Sequence, residues 1–235
     1  MAYKKRFDGR DFTELRKMSA KAGVIKQADG SAYFQAGKTA AYAAVYGPKE
    51  LHPKFMQNPS KGILRVNYSM MPFSGMGNRV RPGPNRRAKE LSMVIQKSLE
   101  PVLDLSAYPN CVVDVFIELP ETDAGSRCAS INAAAIALAD AGLLMKDMVS
   151  AISVGRVDDK IVADLDYAEE AYEDGPVADI PIAMIPSSRK ITLFQLDGDF
   201  DPKALQEALD MAKTACEEIK KVQIAAIKAK YEVSQ

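Results

Sequence analysis

The chain has 235 residues, of which 47% are hydrophobic, enough to bury the core of one large domain or two small ones. No run approaches the ~20 apolar residues of a membrane span, and the basic start lacks the apolar stretch of a secretory signal. The three cysteines are scattered and form no CxxC pair, which predicts a reducing, cytoplasmic setting without a zinc site or disulfide framework.

The charges balance to zero overall but are segregated along the chain. Residues 1–100 hold 19 Lys/Arg against 7 Asp/Glu, and residues 101–235 hold 12 against 24. A basic part of this kind suits a polyanionic substrate, with carboxylates of the acidic part available for proton or metal chemistry. Attraction between the two parts within one fold would explain the pattern equally well.

The predicted elements of the first half are mostly strands. Residues 22–48 are interpreted as two strands joined by a turn at Asp29-Gly30, and residues 62–70 alternate like a third strand. Residues 72–87 form a Gly/Pro-rich loop with four arginines. A helix is predicted from Ala88, because the apolar residues that follow share one face.

The second half mixes helices and strands. Residues 111–119 predict a buried strand, residues 126–141 a helix of small residues, and residues 151–166 and 179–198 two hairpin-like pairs. The predicted class is therefore α+β, with mixed strands covered by helices in a single domain. That domain would span residues 1–235, with residues 1–20 as an N-terminal extension and residues 202–235 as an amphipathic C-terminal helix.

The sequence "ETDAGSRCASI" at residues 121–131 precedes the small-residue helix and allows two interpretations. In one, Thr122 or Asp123 is an ordinary N-cap and Arg127 lies in solvent. In the other, free N–H groups, a glycine and a cation meet to form an anion site. The local sequence alone favours the first.

A carboxylate-rich stretch follows. Nine carboxylates and one lysine lie between Asp158 and Asp179. Most such stretches are solvated loops, but Asp179 lies at the edge of the apolar run "IPIAMIP", where burial could fix its position. The single histidine, His52, excludes HExxH zinc sites and two-histidine ribonuclease chemistry. Catalysis would therefore use carboxylates, Arg/Lys and bound phosphate or metal.

Five motifs occur in order across nearly the whole chain: "RFDGRDFTELR", "ADGSA…GKT…GPKELHP", "PGPNRRAKELSMVI", "DAGSRCASINAAAIALADAG" and "ADIPIAM". Together they resemble the ribonuclease PH family of phosphorolytic 3′→5′ exoribonucleases, and within it the catalytic subunits of archaeal exosomes. The resemblance implies a two-layer fold of the ribosomal protein S5 domain 2-like type.

The resemblance also implies an activity and partners. Inorganic phosphate, as co-substrate, would attack the 3′-terminal linkage of single-stranded RNA and release nucleoside diphosphates, and the reverse reaction would add tails. A divalent metal such as Mg²⁺ is a further expectation. The chain would act in a ring of six subunits, in which three copies alternate with a related non-catalytic subunit as a trimer of heterodimers. RNA-binding cap subunits would join this ring. Two alternatives are a homohexameric tRNA-trimming ribonuclease PH and a non-catalytic RNA-binding ring subunit.

Specific residues match the family's site motifs. Gly125, Ser126 and Arg127 match its phosphate-binding segment, and Asp179 matches the aspartate beside the leaving oxygen, a candidate general acid or metal ligand. The segment before Asp179 is about three residues longer than in the family, so either Glu170 or Asp174 could be the second carboxylate. Spacing from the "DLD" sequence favours Glu170.

The resemblance also assigns residues to RNA binding. Arg86 and Arg87 match paired arginines that grip the 3′-terminal nucleotides, which suits the planar guanidinium fork. An ion pair from Arg86 to Glu90 is the alternative. The further predicted RNA contacts are His52, Lys54 and Arg65. Stacking or a structural turn would also explain His52.

Overall fold

The computed structural model describes residues 3–76, 79–83 and 85–232; residues 77, 78 and 84 of the arginine-containing loop lie outside this range. Five strands form the first sheet in the order β1-β2-β3-β5-β4. Only the β4–β5 pair is parallel, because a helix connects these two strands and returns the chain to the starting edge. The strands are β1 (Met18–Ala22), β2 (Gly30–Ala36), β3 (Thr39–Glu50), β4 (Ile63–Met70) and β5 (Cys111–Glu121).

The second sheet has four antiparallel strands in the order β7-β6-β8-β9. It contains the two predicted hairpin-like pairs. The strands are β6 (Ser150–Val157), β7 (Lys160–Ala163), β8 (Val177–Ile185) and β9 (Lys190–Phe194). The carboxylate-rich stretch connects β7 to β8.

The described residues also form four α-helices: α1 (Arg86–Leu99), α2 (Ser126–Asp140), α3 (Tyr167–Glu170) and α4 (Pro202–Tyr231). The small residues of α2 let it pack closely against β2 and β3 of the first sheet and β6 of the second. One buried apolar cluster joins both sheets with α1, α2 and α4. These elements confirm the predicted α+β class. No helix in the described part of the chain is long and apolar enough to cross a membrane.

The predicted turn at Asp29-Gly30 is wrong. Gly30 begins β2, and the tight turn between β2 and β3 falls at Gly37, whose φ is 57°. A Cβ on Gly30 would lie 2.3 Å from the backbone nitrogen of Ala141. The glycine is therefore explained by the close approach of β2 to the end of α2, a contact that the local sequence does not reveal.

Helix α1 begins two residues earlier than predicted. Its N-cap is Asn85, whose side chain accepts a hydrogen bond from the backbone N–H of Ala88 at 2.7 Å. Arg86 and Arg87 consequently lie in the first helical turn and not in the preceding loop.

Candidate functional site

A continuous depression lies where α2 begins, between the two sheets. It consists of a pocket of about 260 Å³ that opens into a wider groove of about 730 Å³. Both are lined by the side chains of Arg87, Arg127, Glu170 and Asp179. The structure thus brings together side chains from α1, α2, α3 and β8 that are up to 92 positions apart in the sequence.

The start of α2 is not an ordinary capped helix. Its N-cap is Gly125, with φ of 63°, and within the described residues no side chain caps the helix. The preceding residues are held by Thr39, whose hydroxyl donates to the carbonyl of Ala124 at 2.7 Å and accepts from the N–H of Asp123 at 2.8 Å. The helix therefore presents free N–H groups and the positive end of its dipole toward the pocket. The prediction that Thr122 or Asp123 caps this helix is wrong.

The side chains of the first turn of α2 add to this anion-binding character. Ser126 is buried, and its hydroxyl accepts a hydrogen bond from the hydroxyl of Tyr68 at 3.0 Å. The Nε of Arg127 is buried and has no hydrogen-bond partner among the described residues. A buried guanidinium N–H without an acceptor is costly unless a ligand supplies one. Helix start, hydroxyl and guanidinium together suit a phosphate group.

Two carboxylates line the same pocket. Asp179, on β8, accepts a hydrogen bond from the hydroxyl of Ser153 on β6. Burial raises the pKa of Asp179 above its ordinary value, while the Ser153 hydrogen bond and the charge of Arg127 oppose the rise. Glu170 keeps contact with solvent at the open pocket, but desolvation of its carboxyl and the charge of Asp179 raise its pKa to about 7.

The two candidates for the second carboxylate differ in position. Glu170 ends the single turn of α3 and lines the pocket with Asp179. Asp174 is exposed and is absent from the pocket lining. The geometry favours Glu170, as its spacing from the "DLD" sequence also does.

A divalent metal fits this donor set only in part. Among the described residues, no group of three or more His, Cys, Asp or Glu side chains could hold a metal ion. Mg²⁺, however, commonly binds through one or two carboxylates, with substrate phosphates and water completing its shell. Asp179 and Glu170 could supply those carboxylates.

Arg86 and Arg87 line the wider groove. Both are exposed and lie at the positive end of α1, where cations are unfavourable for the helix. None of the ion pairs in the described part of the chain joins Arg86 to Glu90. Helix stability therefore does not explain these arginines, whereas a bound polyanion would.

Three further residues predicted to contact RNA lie near the opposite end of β5 from the start of α2: His52, Lys54 and Arg65. Residues 111–114 of β5 pair with the end of β3 and with Arg65 of β4, whereas Glu121, at the far end of β5, pairs with Ala40. At about 3.4 Å per residue, roughly 30 Å separates the two ends. His52 and Lys54 are exposed there.

Arg65 is not a free cation. Its guanidinium binds both carboxylate oxygens of Asp114, at 2.6 and 2.9 Å, and the Nζ of Lys49 lies 2.9 Å from the same group. Two cations around one carboxylate leave a net positive cluster, which remains compatible with RNA binding.

Several residues that shape the site were not predicted from the sequence. Tyr68, Ser153 and Thr39 support the phosphate-suited helix start and Asp179, as described above. Arg16, in the predicted N-terminal extension, is also buried, and its Nη2 and Nε bind both oxygens of Asp164 at 2.7 and 2.9 Å. These residues lie in separate segments of the chain, and the local sequence does not identify their partners.

The fold and this pocket define an α+β protein with a phosphate-suited site between its two sheets, and comparison with known proteins gives the family. Residues 14–143 match the 3′ exoribonuclease family, domain 1, and residues 147–215 match domain 2 of the same family. The chain belongs to this family, the ribonuclease PH family, as the sequence motifs predicted.

Similar proteins are named as exosome components. The chain is 46% identical to the exosome complex component Rrp41 of Methanopyrus kandleri over 226 residues, covering 96% of this chain and 93% of that protein. It is 47% identical to the Rrp41 of Thermococcus gammatolerans over 227 residues, covering 97% and 90%.

Solved structures share the fold. The Archaeoglobus fulgidus exosome with RNA bound to its active site contains a chain similar to this one, with a TM-score of 0.77, 25% identity and 92% coverage of each chain. Rice Rrp46 gives a TM-score of 0.82 at 24% identity, covering 94% of this chain and 100% of that one.

Proposed function

We propose that this chain is the catalytic subunit of an exosome ring, which shortens single-stranded RNA from its 3′ end by phosphorolysis. The observation that carries the proposal is the uncapped start of α2, with the unpartnered Nε of Arg127, in the pocket that also contains Asp179 and Glu170. The near full-length similarity to Rrp41 exosome components supports the assignment.

In the proposed mechanism, inorganic phosphate binds at the start of α2 through free backbone N–H groups, Ser126 and Arg127. A phosphate oxygen attacks the phosphorus of the terminal linkage, and the bond from that phosphorus to the 3′ oxygen of the preceding nucleotide breaks. The products are a nucleoside diphosphate and an RNA shortened by one nucleotide. Most of the catalytic effect comes from positioning and charge neutralisation, as in other phosphoryl transfers.

The leaving 3′ oxygen needs a proton, and Asp179 is the proposed donor. Because burial raises the pKa of Asp179, its carboxyl is more often protonated at neutral pH than an exposed aspartate. Glu170 is the second carboxylate of the site. If Asp179 instead acts as a metal ligand, Asp179 and Glu170 would hold a divalent metal that would neutralise charge developing on the transferred phosphoryl group.

The RNA would run between the two basic regions described above. Arg86 and Arg87 would bind phosphates of the 3′-terminal nucleotides, and His52, Lys54 and the Arg65 cluster would contact the strand farther from its end. The separation of roughly 30 Å, estimated from the rise along β5, spans several nucleotides of an extended strand. This arrangement favours a single-stranded substrate.

The proposed assembly is a trimer of heterodimers in the cytoplasm. Each copy of this chain would pair with a related non-catalytic ribonuclease PH-like subunit, and RNA-binding cap subunits would complete the particle. The names of the similar proteins, which are exosome components, support a complex with other subunits.

The deciding experiment uses RNA carrying a label in its 3′-terminal nucleotide. The chain, with and without its companion subunit, is incubated with this RNA in buffers with and without inorganic phosphate. We expect labelled nucleoside diphosphates that form only when phosphate is present. Full-rate decay to monophosphates in phosphate-free buffer would show hydrolysis and contradict the proposal.

A further inference from the structure

A buried ion pair joins the N-terminal segment to α3. Both Nε and Nη2 of Arg6 donate to the carboxylate of Glu169, each at 2.8 Å, and neither side chain has any solvent exposure. The hydroxyl of Tyr3 donates to the same carboxylate at 2.6 Å. None of these three residues lines the pocket, so the reaction described above does not use them.

The same arginine also fixes the chain on either side of this contact. Arg6 donates to the carbonyl of Ala163 at 2.8 Å and to that of Asp164 at 2.9 Å. Tyr3 packs in a small apolar cluster with β6 and β7, separate from the main core. The N-terminal segment is therefore an integral support beneath the connection between β7 and β8.

Glu169 and Glu170 are adjacent in the single turn of α3. Successive residues of a helix point about 100° apart, so fixing one side chain inward determines the direction of the next. Glu169 accepts hydrogen bonds from Arg6 and Tyr3, and from the N–H of Asp166 at 3.1 Å, in a reciprocal capping box. With Glu169 held beneath the turn, Glu170 faces the pocket.

We propose that Arg6 and Tyr3 are positioning residues for Glu170, acting through Glu169. A turn this short has little stability of its own, so its orientation depends on the buried pair. Weakening the pair should displace the Glu170 carboxyl from its place beside Asp179 and slow the reaction, while the phosphate and RNA contacts remain. The inference rests on the proposed phosphorolysis.

The test is a double-mutant cycle on the assembled ring. Arg6→Lys keeps the positive charge but removes the planar guanidinium that donates two hydrogen bonds to Glu169. The substitution is made both in the wild-type protein and in the Glu170→Gln variant. We expect Arg6→Lys to lower the single-turnover rate by roughly 10-fold or more, the scale of small misplacements at a site, with RNA affinity unchanged. In the Glu170→Gln background it should cause almost no further loss.

Tyr3→Phe provides a milder version of the same cycle if Arg6→Lys does not fold, because it removes one hydroxyl and keeps the ring. We expect a smaller rate loss that also disappears in the Glu170→Gln background. Equal losses in both backgrounds, for either variant, would overturn the inference.

Lys230→Met is the matched control. The Nζ of Lys230 lies 2.5 Å from the buried carboxylate of Asp140, at the end of α2 away from the pocket. Lys230→Met should lower thermal stability without changing the single-turnover rate of the folded ring. If it slows the reaction as much as Arg6→Lys does, the effect of Arg6 is only structural. A wild-type ring without phosphorolysis would instead refute the proposed function before any variant is compared.

Discussion

Asp179 and Glu170 line one pocket but are held in different ways. Asp179 lies within the second sheet, where the Ser153 hydroxyl of the neighbouring strand binds it, whereas Glu170 ends a single helical turn. A side chain fixed by a sheet tolerates local changes better than one fixed by four residues of helix. At the scale of residues, the carboxylate on the short turn is therefore the more sensitive to its surroundings.

Glu170→Gln and Asp174→Asn form a matched pair of neutralising substitutions. Glu170→Gln should lower turnover by roughly 100-fold, the scale of a lost acid–base group. Asp174→Asn should leave turnover near that of the wild type, because Asp174 is exposed outside the pocket. Single-turnover phosphorolysis on the same assembled ring compares them. The reverse ranking would make Asp174 the second carboxylate.

Asp179→Asn and Arg87→Met should separate chemistry from binding. Asp179→Asn is nearly isosteric and removes a charge that repels RNA, so affinity should hold or rise while turnover falls by roughly 100-fold or more. Arg87→Met should weaken RNA binding. The slope of the logarithm of the binding constant against the logarithm of salt concentration should become shallower by about 0.7 for each lost phosphate contact. Affinity at several salt concentrations, measured with the rate, checks both. An Asp179→Asn ring of near wild-type rate would exclude Asp179 from the mechanism.

The raised pKa of Glu170 predicts a pH-dependent stability. The ordinary pKa of 4.5 rises to about 7 in the folded chain, so ionisation opposes folding. The free-energy cost of ionising Glu170 in the folded chain is absent below pH 4.5, grows as pH rises, and reaches its full value above pH 7. Glu170→Gln removes it, so the variant should gain stability relative to wild type between pH 5 and pH 8. Because solvent reaches the pocket and screens the charge, we expect the gain in the free energy of unfolding to be only about 1 kcal/mol.

Thermal unfolding of both proteins at pH 5 and pH 8 measures this difference. Asp174→Asn, on the exposed side of the same loop, is the control and should show no comparable change. A stability gain of Glu170→Gln over the wild type that is the same at pH 5 and pH 8 would contradict the raised pKa of Glu170.

At the scale of elements, α2 matters most because it is both the centre of the core and the start of the phosphate site. Its small residues pack between the sheets, and its first turn opens into the pocket. The left-handed Gly125 sets the direction of that first turn. The packing of the helix thus fixes the orientation of its free N–H groups.

Gly125→Ala tests this role of the helix start. A Cβ at this position would lie 3.1 Å from Nη2 of Arg16, and the left-handed conformation is unfavourable for alanine by about 1–2 kcal/mol. We expect that loss in the free energy of unfolding together with a several-fold higher KM for phosphate. Gly142→Ala also replaces a left-handed glycine, but at the other end of α2. That control should lose stability and keep the KM.

The elements could largely be predicted from sequence, whereas their contacts could not. Local composition and apolar patterning located α2, α4 and most strands of both sheets, because those signals are local. The strand β1 was missed, since most of it falls in the predicted N-terminal extension. The prediction of a turn at Asp29-Gly30 was wrong because the glycine is explained by its close approach to the backbone of Ala141, which lies far along the chain. The local sequence at the start of α2 allowed both a capped helix and an anion site, and only the structure shows that no side chain of the described residues caps it. The residues alone pointed to the helix start at Gly125–Arg127 and to Asp179, the family resemblance gave their roles and the remaining site residues, and the structure added the supports Tyr68, Ser153 and Arg6.

At the scale of the whole molecule, the segregated charges bear on assembly. The basic first half and the acidic second half each carry an excess of 12 charges. We expect the isolated chain to be weakly active or unassembled, and the companion subunit to restore both ring formation and rate. Light scattering and phosphorolysis, with and without the companion, test this. A fully active isolated monomer would contradict it.

The contact between Arg6 and Glu169 also has a consequence for how the protein is made. Arg6 is synthesised 163 positions before its partner. The segment that carries Arg6 therefore cannot make this contact until the first sheet, β6 and β7 have been synthesised, and contacts so distant in sequence form late. A nascent chain that stops before α3 would carry the phosphate-suited helix start without Glu170 or Asp179. The proposed catalytic set of residues is therefore complete only after synthesis has passed Asp179.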